Sequence, residues 1–218
     1  MRRGRTRMVK VKICGITNLE DAALAASVGV DAIGLIFAPS PRRIKPERAR
    51  RIIDDLPRSI KAVGVFVNEA LSEVEAIGEF CRLDLIQLHG DESPEMCVRL
   101  SLPVIKAFRM KDNSSIDSIR PYCGKATGVL LDTYQKGLMG GTGKSFDWSL
   151  AVKSKGFGLP IILSGGLTPQ NVSQAVRVVE PFAVDVNSGV EERPGKKDPL
   201  LVKRLMEILS DKKPRCRT

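Results

Sequence analysis

The sequence predicts a single-domain α/β protein whose eight parallel strands close into a (β/α)8 TIM barrel. Eight short apolar runs rich in Val, Ile and Leu recur along the 218 residues, and segments with helical spacing lie between them. Continuous apolar runs are typical of strands buried on both faces, as in a parallel sheet. A doubly wound open sheet is the alternative, but it usually has fewer strands, and no GxGxxG follows the first run.

The eight predicted strands follow one another at regular intervals. In chain order they are Val11–Ile16, Ala32–Phe37, Lys61–Val67, Leu85–His89, Val104–Arg109, Gly128–Thr133, Pro160–Ser164 and Ala183–Val186. The spacing predicts helices over segments such as Leu19–Val28 and Pro169–Val179. No composition break suggests a second domain, so the predicted barrel covers residues 9–210, between basic tails at 1–8 and 211–218.

Capping residues mark several predicted helix starts. Thr17 and Glu20 have the spacing of a capping box. Ser93-Pro94, Thr168-Pro169 and Asp198-Pro199 each place a capping side chain before a proline suited to the first helical turn. Gly29 follows the first predicted helix, where a left-handed residue commonly ends a helix.

The net charge of +10 raises the possibility of nucleic-acid binding, but its distribution argues against it. Eight cations lie in the tails, and the rest of the chain is nearly balanced: Arg2, Arg3, Arg5, Arg7, Lys212, Lys213, Arg215 and Arg217. Binding of a phosphate backbone would need cations on the folded body and aromatic side chains for stacking, and aromatics are only 5% of the chain. We therefore expect no nucleic-acid partner.

The cysteines and the hydropathy pattern predict a cytoplasmic protein. Five cysteines occur at 14, 81, 97, 123 and 216, without a CxxC pair. An odd count without a signal peptide indicates reduced thiols. No apolar run approaches the roughly 20 residues needed to cross a bilayer, so we expect no membrane partner. No His/Cys/Asp cluster has metal-ligand spacing, which predicts that no metal is bound.

A ring of polar residues is predicted at the mouth of the barrel, because active sites of this fold lie at the carboxyl ends of the strands. The polar residues at those ends are Cys14, Arg42, Asn68, Gln87, His89, Arg109, Asp132, Ser164, Gly165, Gly166, Asp185, Ser188 and Gly189. Gly165-Gly166 and Ser188-Gly189 follow the seventh and eighth strands, the common phosphate position in this fold. Backbone N–H groups exposed by glycine can bind a dianion there.

Three of these side chains have more than one interpretation from position alone. Burial of Asp132 would favour its neutral form, as a general acid requires, or Asp132 could simply accept loop N–H groups. Cys14 could be a base or nucleophile if a cation stabilised its thiolate, or a buried thiol filling the barrel top. His89, the only histidine, could shuttle protons, but its position at a strand end favours a hydrogen-bonded structural imidazole.

Eight segments resemble the phosphoribosylanthranilate isomerase family, in order along the chain from about Val9 to Leu209. They are VKICGITNLEDA, GLIFAPSPRRI, VGVFVNE, IQLHGDE, VIKAFR, LLDTYQKGLMGGTGKSFDW, ILSGGLTPQNV and AVDVNSGVEERPGKKD. Each motif is weak alone, but eight in register are very specific. The resemblance implies a (β/α)8 isomerase of tryptophan biosynthesis that needs no cofactor and converts a small phosphorylated aldose amine into a 1-amino-1-deoxyketose.

The resemblance also implies roles for individual residues. Cys14 would take the C2′ proton, Asp132 would protonate the furanose ring oxygen, and Arg42 would face the anthranilate carboxylate. Arg43 stands where an aromatic is more usual, which leaves open which guanidinium faces the substrate. Gln87, His89 and Asp185 are predicted at the substrate, and Gly165, Gly166, Ser188 and Gly189 at its phosphate.

Two rival functions remain at this point. A histidine-pathway Amadori isomerase resembles this chain in fold but uses an Asp on the first strand, where this chain has Cys14. An RNA-binding protein on a barrel scaffold is the rival from another class. The sequence is compatible with either a monomer or a homodimer.

Overall fold

A closed barrel of eight parallel strands forms the centre of the computed structural model, which describes residues 9–133 and 147–210. Each strand pairs with the next along the chain, and β1 pairs with β8. The predicted fold class is confirmed. The strands are β1 (Lys10–Ile13), β2 (Ala32–Ile36), β3 (Lys61–Phe66), β4 (Leu85–Leu88), β5 (Val104–Met110), β6 (Gly128–Thr133), β7 (Ile161–Leu163) and β8 (Ala183–Val186).

Eight α-helices surround the barrel in the described residues. They are α1 (Leu19–Ser27), α2 (Pro46–Asp54), α3 (Leu71–Cys81), α4 (Pro94–Arg99), α5 (Asn113–Asp117), α6 (Trp148–Ser154), α7 (Val172–Val179) and α8 (Pro199–Ser210). A two-stranded hairpin of β9 (Glu191–Arg193) and β10 (Lys196–Lys197) follows β8. Within the described ranges, no helix is long and apolar enough to cross a membrane.

All eight strands occur where the sequence predicts them: β6 and β8 have the predicted bounds, β5 runs one residue further to Met110, and the other five end one to three residues earlier than predicted. The predicted tails, 1–8 and 211–218, lie outside the described residues, as does part of the LLDTYQKGLMGGTGKSFDW segment, residues 134–146. β1, β4 and β7 end at Ile13, Leu88 and Leu163. Cys14, His89 and Ser164 are the next residues; their N–H groups still bond to the neighbouring strands, so they lie at the edge of the sheet, at the barrel mouth.

The predicted helix starts are partly confirmed. Ser93 accepts a hydrogen bond from the Met96 N–H and caps α4, with Pro94 as the first helical residue. Asp198 Oδ1 accepts from two N–H groups at the start of α8, at 2.8 and 3.1 Å. Gly29 has the expected left-handed backbone, with φ of +75°.

Two helix starts differ from the prediction. The Thr17 capping box is wrong: the Thr17 hydroxyl donates to the Gly195 carbonyl at 2.7 Å, and Asn18 caps α1 instead. The helix predicted from Pro169 begins at Val172. Asn171 accepts from the Thr168 N–H and donates to the Gly166 carbonyl, both at 2.8 Å, so it holds residues 168–171 as a turn.

The barrel interior changes from apolar to polar towards the carboxyl ends of the strands. A cluster of Val63, Ile105, Ala107, Leu130, Ile162 and Ala183 fills the lower part, separately from the larger core between strands and helices. Side chains on a strand alternate between its two faces, so residues two positions further along also point inwards. Lys12, Gln87 and Asp185 form a polar layer in this way, and each is at most 5% exposed.

Candidate active site

A cavity of about 340 Å³ opens at the carboxyl ends of the barrel strands. All ten predicted site residues line it: Cys14, Arg42, Gln87, His89, Asp132, Gly165, Gly166, Asp185, Ser188 and Gly189. Arg109, which was also predicted at the mouth, does not line the cavity, and its guanidinium donates to the His89 carbonyl at 3.4 Å. The sequence therefore located the cavity wall on strands that are far apart along the chain.

Cys14 follows β1 and is 4% exposed, with its N–H bonded to the Val186 carbonyl at 2.9 Å. Its thiol occupies space that Gly34 on β2 leaves open. A methyl group at Gly34 would lie 2.6 Å from Cys14 Sγ. Burial raises the pKa of the Cys14 thiol above its ordinary value, and the cations of Lys12 and Lys197 oppose that rise. Cys14 is thus a desolvated thiol near two cations.

Asp132 lies in β6, which is separated from β1 by β7 and β8 in the closed barrel, and is 7% exposed. Its Oδ1 accepts the Thr133 N–H at 2.7 Å, and its Oδ2 lies 3.3 Å from His89 Nε2. A Cβ at Gly165 would meet Thr133 Oγ1 at 2.3 Å and Asp132 Oδ1 at 3.0 Å. The loop after β7 therefore passes directly over the carboxyl group, because Gly165 has no side chain.

A chain of hydrogen bonds fixes the tautomer of His89. Lys12 Nζ, which can only donate, is 3.0 Å from Gln87 Oε1. This turns the Gln87 amide nitrogen towards His89 Nδ1, at 2.9 Å. Since an amide nitrogen can only donate, Nδ1 accepts, and the neutral ring carries its proton on Nε2. His89 Nε2 then lies 3.3 Å from Asp132 Oδ2, so an imidazole N–H is placed beside the predicted acid.

Lys12 and Asp185 form an ion pair that the sequence reasoning missed. The two residues are directly opposite in the register of β1 and β8, and Lys12 Nζ lies 2.8 Å from Asp185 Oδ1. Burial alone would lower the pKa of Lys12, but Asp185 and Cys14 leave it above its ordinary value. Asp185 was predicted at the substrate, and here its carboxylate also holds a buried ammonium group.

Arg42, rather than Arg43, faces the cavity. Arg42 lines the cavity wall, and Arg43 is exposed. Glu191 on β9 holds the Arg42 guanidinium: Nε lies 2.9 and 3.0 Å from the two carboxylate oxygens, and Nη2 lies 2.6 Å from Oε2. Glu191 is bound through the Nε and Nη2 atoms of the guanidinium, so these contacts do not use Nη1. The guanidinium is therefore fixed before any substrate binds.

Glu191 also binds Lys197, on the next strand of the hairpin. Lys197 Nζ is 1% exposed as a side chain and lies 2.9 Å from Glu191 Oε1 and 3.0 Å from Asn187 Oδ1. Burial raises the pKa of Glu191, but the hydrogen bonds from Arg42 and Lys197 outweigh it, so the pKa is lower than usual. Burial lowers the pKa of Lys197. The hairpin thus brings a compact charged cluster to the cavity edge.

The predicted phosphate loops approach each other closely. Gly165 and Gly166 have φ of +83° and +63°, which side chains rarely adopt. A Cβ at Gly189 would lie 1.9 Å from the Leu167 carbonyl oxygen, so only glycine permits this contact between the loops after β7 and β8. The two glycine pairs therefore form one wall of the cavity with exposed backbone.

Lysines inside apolar strands are the signal that could have revealed the missed residues. Lys12 interrupts Val-Lys-Ile, and Lys106 interrupts the apolar run of β5. Lysine is almost never fully buried without a partner, so each implies a buried anion. Lys106 pairs with Glu92 at 3.0 Å and supports the loop that carries His89. Glu191 and Lys197 carry no such signal, because their hairpin is short and polar.

Comparisons with known proteins agree with this geometry. The family described as N-(5′-phosphoribosyl)anthranilate (PRA) isomerase matches residues 11–208. The chain belongs to this family. An N-(5′-phosphoribosyl)anthranilate isomerase of Geotalea uraniireducens is 53% identical over 201 residues, which cover 92% of this chain and 98% of the relative.

Two solved structures of phosphoribosylanthranilate isomerases superpose closely on the barrel. The one from Thermotoga maritima has a TM-score of 0.87 at 43% identity, covering 92% of this chain and 98% of that one. A second has a TM-score of 0.83 at 42% identity with the same coverages, and it holds reduced 1-(o-carboxyphenylamino)-1-deoxyribulose 5-phosphate. In the part of this chain that the structure describes, no cluster of His, Cys, Asp and Glu could hold a metal ion.

Proposed function

We propose that this isomerase uses Cys14 as general base and Asp132 as general acid in the Amadori rearrangement of its family. The reaction converts N-(5-phosphoribosyl)anthranilate into 1-(2-carboxyphenylamino)-1-deoxyribulose 5-phosphate in tryptophan biosynthesis. The observation that carries the assignment is that Cys14 and Asp132 face one cavity from β1 and β6. A thiol and a carboxyl group that line one cavity from different strands can act on two positions of one substrate.

Ring opening is assigned to Asp132. The neutral carboxylic acid gives its proton to the furanose ring oxygen, the C1′–O bond breaks, and the anilino nitrogen supplies the electron pair that forms a protonated Schiff base. His89 Nε2 lies 3.3 Å from one carboxyl oxygen, and the Thr133 N–H donates to the other. These contacts support the assignment in one respect: they fix the position of the carboxyl group at the cavity wall, and a general acid must be held in place to reach its target.

Proton abstraction is assigned to Cys14. The Schiff base acidifies C2′, so a modest base suffices. The thiolate takes the C2′ proton as an S–H bond forms; the electron pair of the C–H bond becomes the C1′–C2′ π bond, and the π pair of the C=N bond returns to the nitrogen, leaving an enolamine. The enol then loses its O–H proton as the C2′ carbonyl forms, and the C1′–C2′ π pair takes up a proton at C1′. C2′ is oxidised while C1′ is reduced, so the rearrangement needs no external oxidant or reductant. We therefore expect no cofactor to take part.

The remaining cavity residues suit the two ends of the substrate. Backbone N–H groups of the glycine loops after β7 and β8 are proposed to bind the 5′-phosphate. Arg42, fixed by Glu191, is proposed to bind the anthranilate carboxylate with its Nη1 edge, since an oriented guanidinium matches a planar carboxylate. Gln87, His89 and Asp185 would then lie along the sugar.

We expect a small phosphorylated metabolite to be the partner in a cytoplasmic setting, with no nucleic acid or membrane. One solved structure contains monomers generated from a Thermotoga maritima phosphoribosylanthranilate isomerase that is itself dimeric, which supports the homodimer among the two oligomeric states that the sequence allows. The single domain predicted for residues 9–210 is supported by the continuous barrel.

A substrate comparison tests the proposal. Purified protein is incubated with phosphoribosylanthranilate, whose consumption is followed by fluorescence, and in parallel with the histidine-pathway aminoaldose. We expect turnover of the anthranilate substrate and very slow or no turnover of the other. Preferential turnover of the aminoaldose would overturn the proposal.

A further inference from the structure

Lys12 lies in an unusual place for a cation. It points into the barrel below the cavity, is 4% exposed, and is not among the residues that line the cavity wall. A buried ion pair of this kind generally contributes less stability than apolar residues of the same volume. Perturbed, buried charges beside a cleft are candidates for a functional role.

Lys12 and Cys14 share one pocket beside Gly34. The two residues are two positions apart on one strand, so both side chains point inwards. A methyl group at Gly34 would lie 2.6 Å from Cys14 Sγ and 3.1 Å from Lys12 Cε. Cys14 Sγ and Lys12 Cε therefore both lie beside the position that a side chain at Gly34 would occupy, and glycine leaves that space to them. Asp185 and Gln87 hold Lys12 Nζ at 2.8 and 3.0 Å on its other sides.

The charged groups around Cys14 carry a net positive charge that one further anion would balance. Three described charged groups act on it: Lys12 on β1, Asp185 on β8 and Lys197 on the hairpin. Lys197 is in turn bound by Glu191, whose second partner is Arg42. Lys12, Lys197 and Asp185 together carry one positive charge in excess. A thiolate at Cys14 would balance it, in a region with little water.

We propose that Lys12 is a positioning residue for the base: its ammonium group, fixed by Asp185 and Gln87, is the counter-ion of the Cys14 thiolate. The inference rests on the proposed role of Cys14. Lys12 gives up no proton in the reaction. It stays charged while the sulfur passes from thiolate to thiol, and it lowers the free energy of the thiolate from which proton abstraction starts. This opposes the effect of burial, which raises the pKa of the thiol.

The test measures how the ionisation of Cys14 depends on its neighbours, without substrate. The rate of alkylation by iodoacetamide is followed from neutral to alkaline pH, and the Cys14 peptide is quantified by mass spectrometry. An opposite charge within about 4–6 Å shifts a pKa by roughly 1–3 units. We therefore expect Lys12→Met to slow alkylation of Cys14 at neutral pH by about tenfold or more, and Lys12→Arg to stay near the wild-type rate.

Asp185→Asn provides a prediction of opposite sign. Removal of that carboxylate should make the thiolate easier to form, so alkylation at neutral pH should be faster than in the wild type. Lys106→Met is the matched control, since it also removes a buried, paired lysine from a barrel strand but not from beside Cys14. It should lower the stability and leave the alkylation profile unchanged.

Several results would overturn the proposal. An alkylation profile that Lys12→Met leaves unchanged, or shifts towards lower pH, would do so. If Lys12→Met fails to fold, the double variant Lys12→Met/Asp185→Asn removes both charges of the ion pair and is compared with Asp185→Asn. Alkylation of Cys14 that is no slower in the double variant than in Asp185→Asn would also overturn the proposal. The proposed function fails separately. If Lys12→Met shows the expected slower alkylation but the wild-type protein does not convert phosphoribosylanthranilate, the proposed function is refuted and the counter-ion role of Lys12 is retained.

Discussion

Gly34→Ala tests whether the position of the Cys14 sulfur is critical. Gly34 lies inside β2 and is paired with Val63 of β3. The added methyl group would lie 2.6 Å from Cys14 Sγ and 3.1 Å from its Cα. Ordinary contact needs roughly 3.5–4 Å, so the sulfur must move by about 1 Å. The backbone of β1 cannot absorb this easily, because β1 is paired on both sides.

The expected effect on activity is larger than that on stability. Overpacking in a core costs about 1–3 kcal/mol. A displacement of about 1 Å at a reacting group can reduce the rate by about 100-fold. We therefore expect kcat to fall by that order, with KM changed little, because the atoms nearest to the added methyl group belong to Cys14 and Lys12. Fluorescence-monitored turnover and thermal unfolding by circular dichroism give the two quantities.

Gly78→Ala is the matched control. Gly78 lies within α3, and an added Cβ would meet Leu102 Cδ1 at 3.4 Å, close to ordinary contact. Alanine in place of a helical glycine stabilises by about 0.5–1 kcal/mol. This variant should be at least as stable as the wild type and equally active. Wild-type kcat in Gly34→Ala, or an equal loss in Gly78→Ala, would refute the reasoning.

Two further predictions concern the base and the carboxylate site. Cys14→Ser should reduce kcat by about 10²–10⁴-fold with the fold intact, because a serine hydroxyl is too weak a base; a steady-state rate within about threefold of wild type would remove Cys14 from the mechanism. Glu191→Gln should raise KM by about tenfold or more and change kcat less, since Arg42 loses charge-assisted hydrogen bonds. The lowered pKa of Glu191 stabilises the fold above the ordinary value of 4.5, and this contribution is lost as the pH falls through the lower folded value. Urea unfolding should therefore show a greater loss of stability on acidification in the wild type than in Glu191→Gln, and equal losses would contradict this.

Sequence pattern predicted the barrel because its strands are buried on both faces. Runs such as Val-Leu-Leu before Asp132 have no polar face, and only a parallel sheet covered by helices hides both sides. The positional rule of the fold then placed the polar strand ends around one mouth. Local helix starts were less predictable, since they depend on distant partners: the Thr17 hydroxyl bonds to Gly195, and Asn18 takes the cap.

The pairing of Lys12 with Asp185 was not predicted, because it depends on strand register. Nothing local indicates that Lys12 lies opposite Asp185, 173 residues away along the chain. The same holds for the fork between Arg42 and Glu191, which joins a loop after β2 to a hairpin after β8. Residue type and position identified the groups proposed to contact substrate, whereas the groups that orient them became visible only in three dimensions.

The most direct test of the acid and base assignment is a kinetic isotope effect. Substrate deuterated at C2′ is given to Cys14→Ser and to Asp132→Asn, and the residual turnover is compared with that of unlabelled substrate. Ring opening should still occur in the cysteine variant, so its slow step is C2′ proton abstraction and a primary isotope effect is expected. Asp132→Asn cannot transfer a proton to the ring oxygen, so its slow step comes earlier and little or no isotope effect is expected. The reverse pattern would mean that the acid and the base have been exchanged, and near-normal turnover by Asp132→Asn would leave that carboxylate with a purely structural role.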